Sequence, residues 1–355
     1  MASPSIQIQD FVSLAPYTTL RIGGPARYFC EVRSEAELLE AVDFAQERRL
    51  ELFVLGGGSN LLVSDRGFDG LVIRMGIAGP VQAVPLNGSV EFRVAAGVDW
   101  DDFVRQVCEL GISGVECLAG IPGLVGGTPV QNVGAYGQEV AETIVSVTAL
   151  DLKSGSFVVL PREACGFAYR RSVFNSTARG RYIVTAVAFR LDAAAKPKLS
   201  YADLQKHFAG TTTEPAPIEV YHAVRLIRHG KGMLLVEGER DCRSAGSFFK
   251  NPVVAEAVLE RIAVRLGVDV AAVPHWPAGP GMVKLPAAWL LDQAGFHKGF
   301  VMGAAGISSR HTLALINRGE ARFADVAALR DAIQGEVQRR FGIELEQEPV
   351  LVGAN

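Results

Sequence analysis

Apolar positions recur along the chain with two different periods, and the alternation between them predicts a mixed α and β protein. In EAELLEAVDFAQERR, Leu38, Ala41, Val42 and Ala45 fall three and four apart, on one helical face. Trp100, Phe103, Val104 and Val107 repeat that spacing in WDDFVRQVCEL, with Asp99 as the N-cap and Gly111 as the stop. Core packing accounts for that stripe without any ligand. Short apolar runs read as strands: RIGGPARYFCEV, entered through a Gly-Gly-Pro turn, then ELFVL, LVIRM, VEFRVAA, SVTALDL, SFVVL and YIVTAVAFRL. A connector at residues 210–219 leads to a helix in VYHAVRLIRH. Beyond it VVAEAVLERIAVRLG, LPAAWLLDQAG and FADVAALRDAIQGEVQRRFG predict helices, while HTLALIN and IELEQEPVLVG predict strands. The pattern changes near residues 210–235, which marks a compositional seam.

Two glycine clusters interrupt this pattern. Gly56, Gly57, Gly58, Ser59 and Asn60 follow the strand ELFVL directly. Backbone amides free of side-chain bulk can face a phosphate there, and a glycine-rich hairpin is the alternative. A Rossmann fingerprint is excluded, because LLVSDRGFDG has no helical period to follow the glycines. The second cluster lies in the long segment from Gly114 to Gly137, which has neither period; such segments are usually functional. Gly123, Gly126 and Gly127 interleave with Ile121, Leu124 and Val125, and Thr128, Gln131 and Asn132 follow. Glycines let a backbone approach a flat ring, and amides can reach ring carbonyls and nitrogens. A dinucleotide with a heteroaromatic end suits both clusters, and FAD fits that description.

Composition narrows the class. A chain of 355 residues exceeds one ordinary core and predicts two or three domains. With 49% hydrophobic and 21% charged residues and a net charge of −3, non-specific nucleic-acid binding is disfavoured. No apolar run approaches the ~20 residues that span a bilayer, and MASPSIQIQDF lacks the pattern of a signal peptide, so no membrane partner is expected. Five scattered cysteines predict reduced thiols in a cytoplasmic protein; six histidines without ligand spacing predict no metal. Ser247, in SAGSFFKNP, resembles a nucleophile only superficially. Phe249 stands where a hydrolase elbow needs glycine, and nothing marks His229 as its base. A tight turn entering a strand is the plain alternative.

TLRIGGPARYF, LGGGSNLLVSDRGFDGLVI, AGIPGLVGGTPVQNVGAYGQEV, FAYRRSVF, SAGSFFKNP and LPAAWLLDQAG occur in this order. Together they resemble the UDP-N-acetylenolpyruvoylglucosamine reductase family from about residue 17 to residue 352. The first half also resembles FAD-binding proteins of the vanillyl-alcohol-oxidase type. The resemblance implies an α+β fold: a two-subdomain FAD-binding module and a C-terminal α+β substrate-binding domain. The expected division is 1–77, completed by a strand in 344–355, then 78–229 and 230–343. It implies non-covalent FAD, NADPH as hydride donor, and the enolpyruvyl ether of UDP-N-acetylglucosamine as acceptor, in peptidoglycan precursor synthesis. A cytoplasmic monomer acting on this small-molecule UDP-sugar is the expectation.

The same resemblance assigns residues. Ser247 takes the place of the family's general acid, and Arg170, selected by the frame F-x-Y-R-x-S, that of the arginine that pairs with the substrate carboxylate. Arg171 is read as a solvated charge. The catalytic glutamate matches Glu348 by spacing, with Glu346 as the alternative, because the proline of LEQEPV falls one place late. Tyr201 resembles a tyrosine that closes over the diphosphate; a turn tyrosine is the alternative. Arg228, Lys231, Asn251, Lys284 and Gln293 fall on positions associated with the nucleotide and diphosphate, although residues 232–242 depart from the family pattern. The rivals are another FAD oxidase or dehydrogenase, which oxygen would reoxidise; a silent UDP-sugar binder, colourless or inert to NADPH; and, weakest, a serine hydrolase.

Overall fold

The computed structural model describes residues 6–353; the first five residues, part of the N-terminal stretch considered above, and the last two lie outside the described residues. The chain forms two compact units. One is built from the segment ending at Val12, Ala26–Gly58 and Phe68–Gly230; the other from Ser13–Pro25, Ser59–Gly67 and the chain from Lys231 onward.

In the first unit a four-stranded sheet has the order Gln9–Ser13, Pro25–Val32, Phe68–Met75, Glu51–Leu55. Pro25–Val32 and Glu51–Leu55 both run parallel to Phe68–Met75, with Phe29 and Phe53 each opposite Val72. Parallel neighbours need a crossover. The helix Glu35–Glu47 crosses from Pro25–Val32 to Glu51–Leu55, the two strands on either side of Phe68–Met75, and is capped by Ser34, whose hydroxyl accepts the Glu37 N–H at 3.1 Å. Its buried residues are Leu38, Ala41, Val42 and Ala45, as the period predicts. A second, antiparallel sheet has the order Ser156–Pro161, Ile144–Asp151, Tyr182–Asp192, Ser89–Ala95, Gln82–Leu86. The helix Trp100–Glu109 packs on it, the Phe103 ring 5.2 Å from that of Phe189. Asp99 caps this helix through the Asp102 N–H at 3.0 Å.

Asp151, at the end of its strand, takes Arg181 bidentately at 3.0 and 2.7 Å. The guanidinium holds the carboxyl down to about 2. A lowered folded value stabilises above the unfolded carboxylate range and loses that contribution as pH falls through the folded value. Asp151→Asn is therefore expected to lower the thermal midpoint at pH 6 and to matter progressively less from pH 4 to pH 2, followed by circular dichroism.

In the second unit the helix Phe323–Phe341 buries Val326, Leu329, Ile333, Val337 and Phe341 and stops at Gly342, whose φ is +67°. Val350–Val352 runs parallel to Leu61–Val63. Gly67 turns the chain with φ +80°, and a Cβ there would sit 1.8 Å from the Pro25 carbonyl oxygen. Gly67→Ala combines a strained φ with a backbone clash, so a loss of about 3 kcal/mol in unfolding free energy is expected by denaturant titration.

Three predicted elements differ, one of them HTLALIN, which is strand only at Leu315–Asn317. Val253–Ala255 is a strand, paired antiparallel with Met282–Lys284, and the helix begins only at Ala257. Its apolar residues serve both periods, and the distant partner strand decides. Likewise IELEQEPVLVG forms regular strand only at Val350–Val352. Before Pro349, which has no N–H to give, the segment makes a single bridge, Gln347 to Phe249. No helix among the described residues is long and apolar enough to cross a membrane, and no group of three or more His, Cys, Asp or Glu among them could hold a metal.

Candidate active site

The segment 116–143 is not structureless. It is a chain of single 3₁₀ turns and two-residue strands, held by main-chain bonds to its neighbours. Val125 N–H donates to the Val98 carbonyl at 2.9 Å and Gly126 N–H to that of Ala96 at 2.9 Å, while the Gly123 carbonyl accepts Trp100 N–H at 3.1 Å. The glycines have distinct reasons. A Cβ on Gly126 would lie 2.5 Å from the Ala96 Cβ, and one on Gly57 would lie 2.6 Å from the Gly123 Cα. Gly56 and Gly127 instead face open space, with nothing within 4 Å of a built Cβ. Gly57 thus lets the two loops approach each other within the first unit, Gly126 lets the second loop pack on Ala96, and Gly56 and Gly127 have open space beside them. The sequence GGGSN is divided between the units after Gly58.

Thr128 and Asn132 are buried and engaged internally. Thr128 donates to the Val125 carbonyl at 2.8 Å. The Asn132 amide donates to Glu139 at 2.7 Å and to the Ala168 carbonyl at 3.0 Å, and accepts the Ala141 N–H at 3.1 Å. Gln131 next to it is half-buried. Asn132 therefore supports the turn that carries Arg170. That turn closes by reciprocal bonds between Ala168 and Arg171 at 2.9 and 3.0 Å, which forces Arg170 to φ +54°. Arginine at positive φ is uncommon and costs free energy. The turn is secured by the Asn175 side chain, donating to the Arg170 carbonyl at 3.1 Å, and the guanidinium donates to the Gly134 carbonyl at 2.7 Å. Arg170 is half-buried and Arg171 exposed.

Tyr201 is 42% exposed and precedes the helix Ala202–His207. Its ring stands edge-on to that of Tyr136 at 5.1 Å. Arg228 is buried, donates from Nε to the Gly120 carbonyl at 3.1 Å, and has its pKa drawn down by burial, opposed by Tyr136 and Asp101. Glu116, which no local signal marks, is also buried and accepts the N–H of Gly114 at 2.6 Å, the Gln138 amide at 2.9 Å and the N–H of Lys198 at 3.0 Å. It anchors the approach to Tyr201.

The second unit carries Ser247. Both flanks are tied: the Ser244 carbonyl accepts the Thr19 hydroxyl at 2.6 Å, and Phe248 N–H donates to the Leu313 carbonyl at 2.8 Å. Phe248 and Phe249 are buried with ring centroids 5.3 Å apart. The half-buried Ser247 hydroxyl has no hydrogen-bond partner among the described residues. Glu348 N–H donates to the Phe248 carbonyl at 2.9 Å, and its own carbonyl accepts the Asn60 side chain at 3.3 Å. Its side chain is on a half-buried residue, whereas Glu346 is exposed and pairs with Lys250 at 2.5 Å. Asn251 accepts the Ala287 N–H at 2.9 Å, at the start of the helix Ala287–Gln293. Lys284 lies on the strand Met282–Lys284, and the Gln293 carbonyl accepts Arg340 at 2.6 Å. Lys231 opens the divergent segment. That segment is pinned by Arg310, which bridges Glu239 and Asp241, and by the Cys242 thiol, donating to the Leu234 carbonyl at 2.9 Å.

A family model described as UDP-N-acetylenolpyruvoylglucosamine reductase, C-terminal domain, matches residues 238–352, and one described as an FAD binding domain matches residues 26–160. The chain is 45% identical over 351 residues to the UDP-N-acetylenolpyruvoylglucosamine reductase of Thermobifida fusca, covering 96% of this chain and 97% of that one. It is 44% identical over 347 residues to that of Streptomyces coelicolor, covering 96% and 89%. The crystal structure of the Thermus caldophilus reductase superposes with a TM-score of 0.65 at 29% identity over 98% of this chain and 99% of that one. The fold is α+β, with an FAD binding domain and the reductase's C-terminal domain, and the chain belongs to the UDP-N-acetylenolpyruvoylglucosamine reductase family.

Proposed function

We propose that this protein reduces the enolpyruvyl ether of UDP-N-acetylglucosamine to UDP-N-acetylmuramate with NADPH and bound FAD, as a cytoplasmic monomer making peptidoglycan precursor. The observation that carries the proposal is Ser247: a half-buried hydroxyl with both flanks fixed and no described partner, on the family's A-G-S-F-F motif. The glycine loops fit the cofactor, because Gly56 and Gly127 have open space beside them while Gly57 lets the two loops approach at Gly123 and Gly126 lets the second loop pack on Ala96. Bound FAD supplies the two-electron chemistry between NADPH and the enolpyruvyl group. Gly56, Gly57, Gly58, Ser59, Asn60, Gly123, Gly126, Gly127, Thr128, Gln131 and Asn132 would form its cradle, directly or as support, within 1–77 with the C-terminal strand and within 78–229.

Reduction leaves negative charge on the carbon next to the substrate carboxylate. The Arg170 guanidinium pairs with that carboxylate and holds the charge. Ser247 donates its hydroxyl proton to the carbon; a weak acid suffices against a strongly basic carbon in a dry pocket. Glu348 is the second partner assigned to this developing charge; the ion pair of Glu346 with Lys250 favours Glu348 over Glu346 for the role. Tyr201, Lys231, Asn251, Lys284 and Gln293 are assigned to the diphosphate and nucleotide, in a domain spanning 230–343 apart from Tyr201. Donor and acceptor use the site in turn, so initial-rate plots are expected to be parallel. Intersecting lines would contradict a ping-pong cycle.

A further inference from the structure

Gly120, which opens the glycine loop, has φ +67° and is gripped on both sides by charge. Its N–H donates to Asp101 Oδ1 at 2.5 Å, and its carbonyl accepts Arg228 Nε at 3.1 Å. These groups belong to the two peptide units that flank the residue, so the pair fixes both backbone rotations at one position. An aspartate in a helix's first turn ordinarily answers the helix dipole. Asp99 already caps this helix, however, and Asp101 points away to other elements. Its second oxygen accepts the Tyr221 hydroxyl at 3.2 Å and the Arg225 guanidinium, both on the helix Pro217–Gly230 that also carries Arg228. Burial and the Asp101 charge push the Tyr221 phenol up to about 12, so it stays a donor. Trp100 adds two bonds, from its N–H to the Gly123 carbonyl and from its indole to the Leu118 carbonyl, both at 3.1 Å.

We infer that Asp101 and Arg228 are positioning residues for the cofactor, a charged clamp on Gly120 that sets the loop 120–128 in the conformation that receives FAD. The inference rests on the function proposed above and extends it to Asp101, Tyr221 and Arg225. It also gives Arg228 a task through the loop. Charged hydrogen bonds from two helices hold the loop's entry. Without them, order in the loop must come out of the binding energy of the cofactor.

The test uses the full chain, with FAD retention followed by flavin fluorescence on dilution and by the visible spectrum of the bound flavin. Asp101→Asn puts an amide against Tyr221 and Arg225, and Arg228→Lys keeps the charge but loses the Nε–H donor. Each is expected to keep its far-ultraviolet circular dichroism and to raise the FAD dissociation constant roughly 10- to 100-fold, with a displaced visible spectrum. The double variant should be little worse than the poorer single, because both act on one element. Asp151→Asn is the control: it breaks a bidentate pair in the same unit and should leave FAD affinity and spectrum unchanged. If Asp101→Asn does not fold, Tyr221→Phe removes one donor alone and should weaken FAD about two- to tenfold. Parent-like retention and spectra in the variants, or an equal loss in Asp151→Asn, would overturn the clamp alone. A parent chain that takes up no FAD would overturn the proposed function and the clamp with it.

Discussion

Ser247→Ala is expected to leave reduction of the flavin by NADPH unchanged and to slow its reoxidation by the enolpyruvyl substrate roughly a hundred- to ten-thousand-fold, the range of a lost general acid. The half-reactions separate because protonation belongs only to the second. Packing gives the substitution little else to disturb. Phe248 and Phe249 are anchored independently by the Leu313 carbonyl and by the buried core, and the hydroxyl removed bonds to no described residue. Stability should therefore stay within about 0.5 kcal/mol. Anaerobic stopped-flow at the flavin band reads each half-reaction alone. Equal loss in both would show that the serine shapes the fold rather than delivers a proton.

Arg170→Lys is expected to cut turnover about a hundredfold, again in the substrate half-reaction, with a smaller rise in KM. Lysine keeps the positive charge but cannot offer two parallel donors to a carboxylate. The pairing grows stronger as that carboxylate takes on enolate character, so its loss falls mainly on the transition state. Lysine at φ +54° carries much the same backbone cost as arginine, which makes the substitution a test of the guanidinium rather than of the turn. Steady-state rates beside the single half-reactions separate the effects. An increase in KM with unchanged turnover would instead assign Arg170 to uniform substrate binding.

Local pattern carried the helices well. The stripe of Leu38, Ala41, Val42 and Ala45 and the cap at Asp99 are visible in the chain because they depend on neighbours within a turn or two. What depends on distant partners was not visible. Val253–Ala255 becomes strand only because Met282–Lys284 lies beside it, and the tail through Glu346 and Glu348 stays irregular because Phe249 offers it one bridge. The glycine segment looked featureless since its order comes from carbonyls of Ala96 and Val98, outside it in sequence. Motifs named the residues of the candidate site, yet not their supports. Glu116 reaches Lys198, and Asp101 reaches Gly120 and Tyr221, across sequence separations no periodicity records. Asn132, read as facing the cofactor, spends its amide on Glu139, Ala168 and Ala141.

The most direct test is one anaerobic titration of the purified protein followed in the visible range. The account predicts a yellow protein that NADPH bleaches and that the enolpyruvyl ether of UDP-N-acetylglucosamine rapidly restores, with UDP-N-acetylmuramate formed in proportion. A protein that bleaches but regains colour only with oxygen, or one that stays colourless when FAD is added, would contradict it.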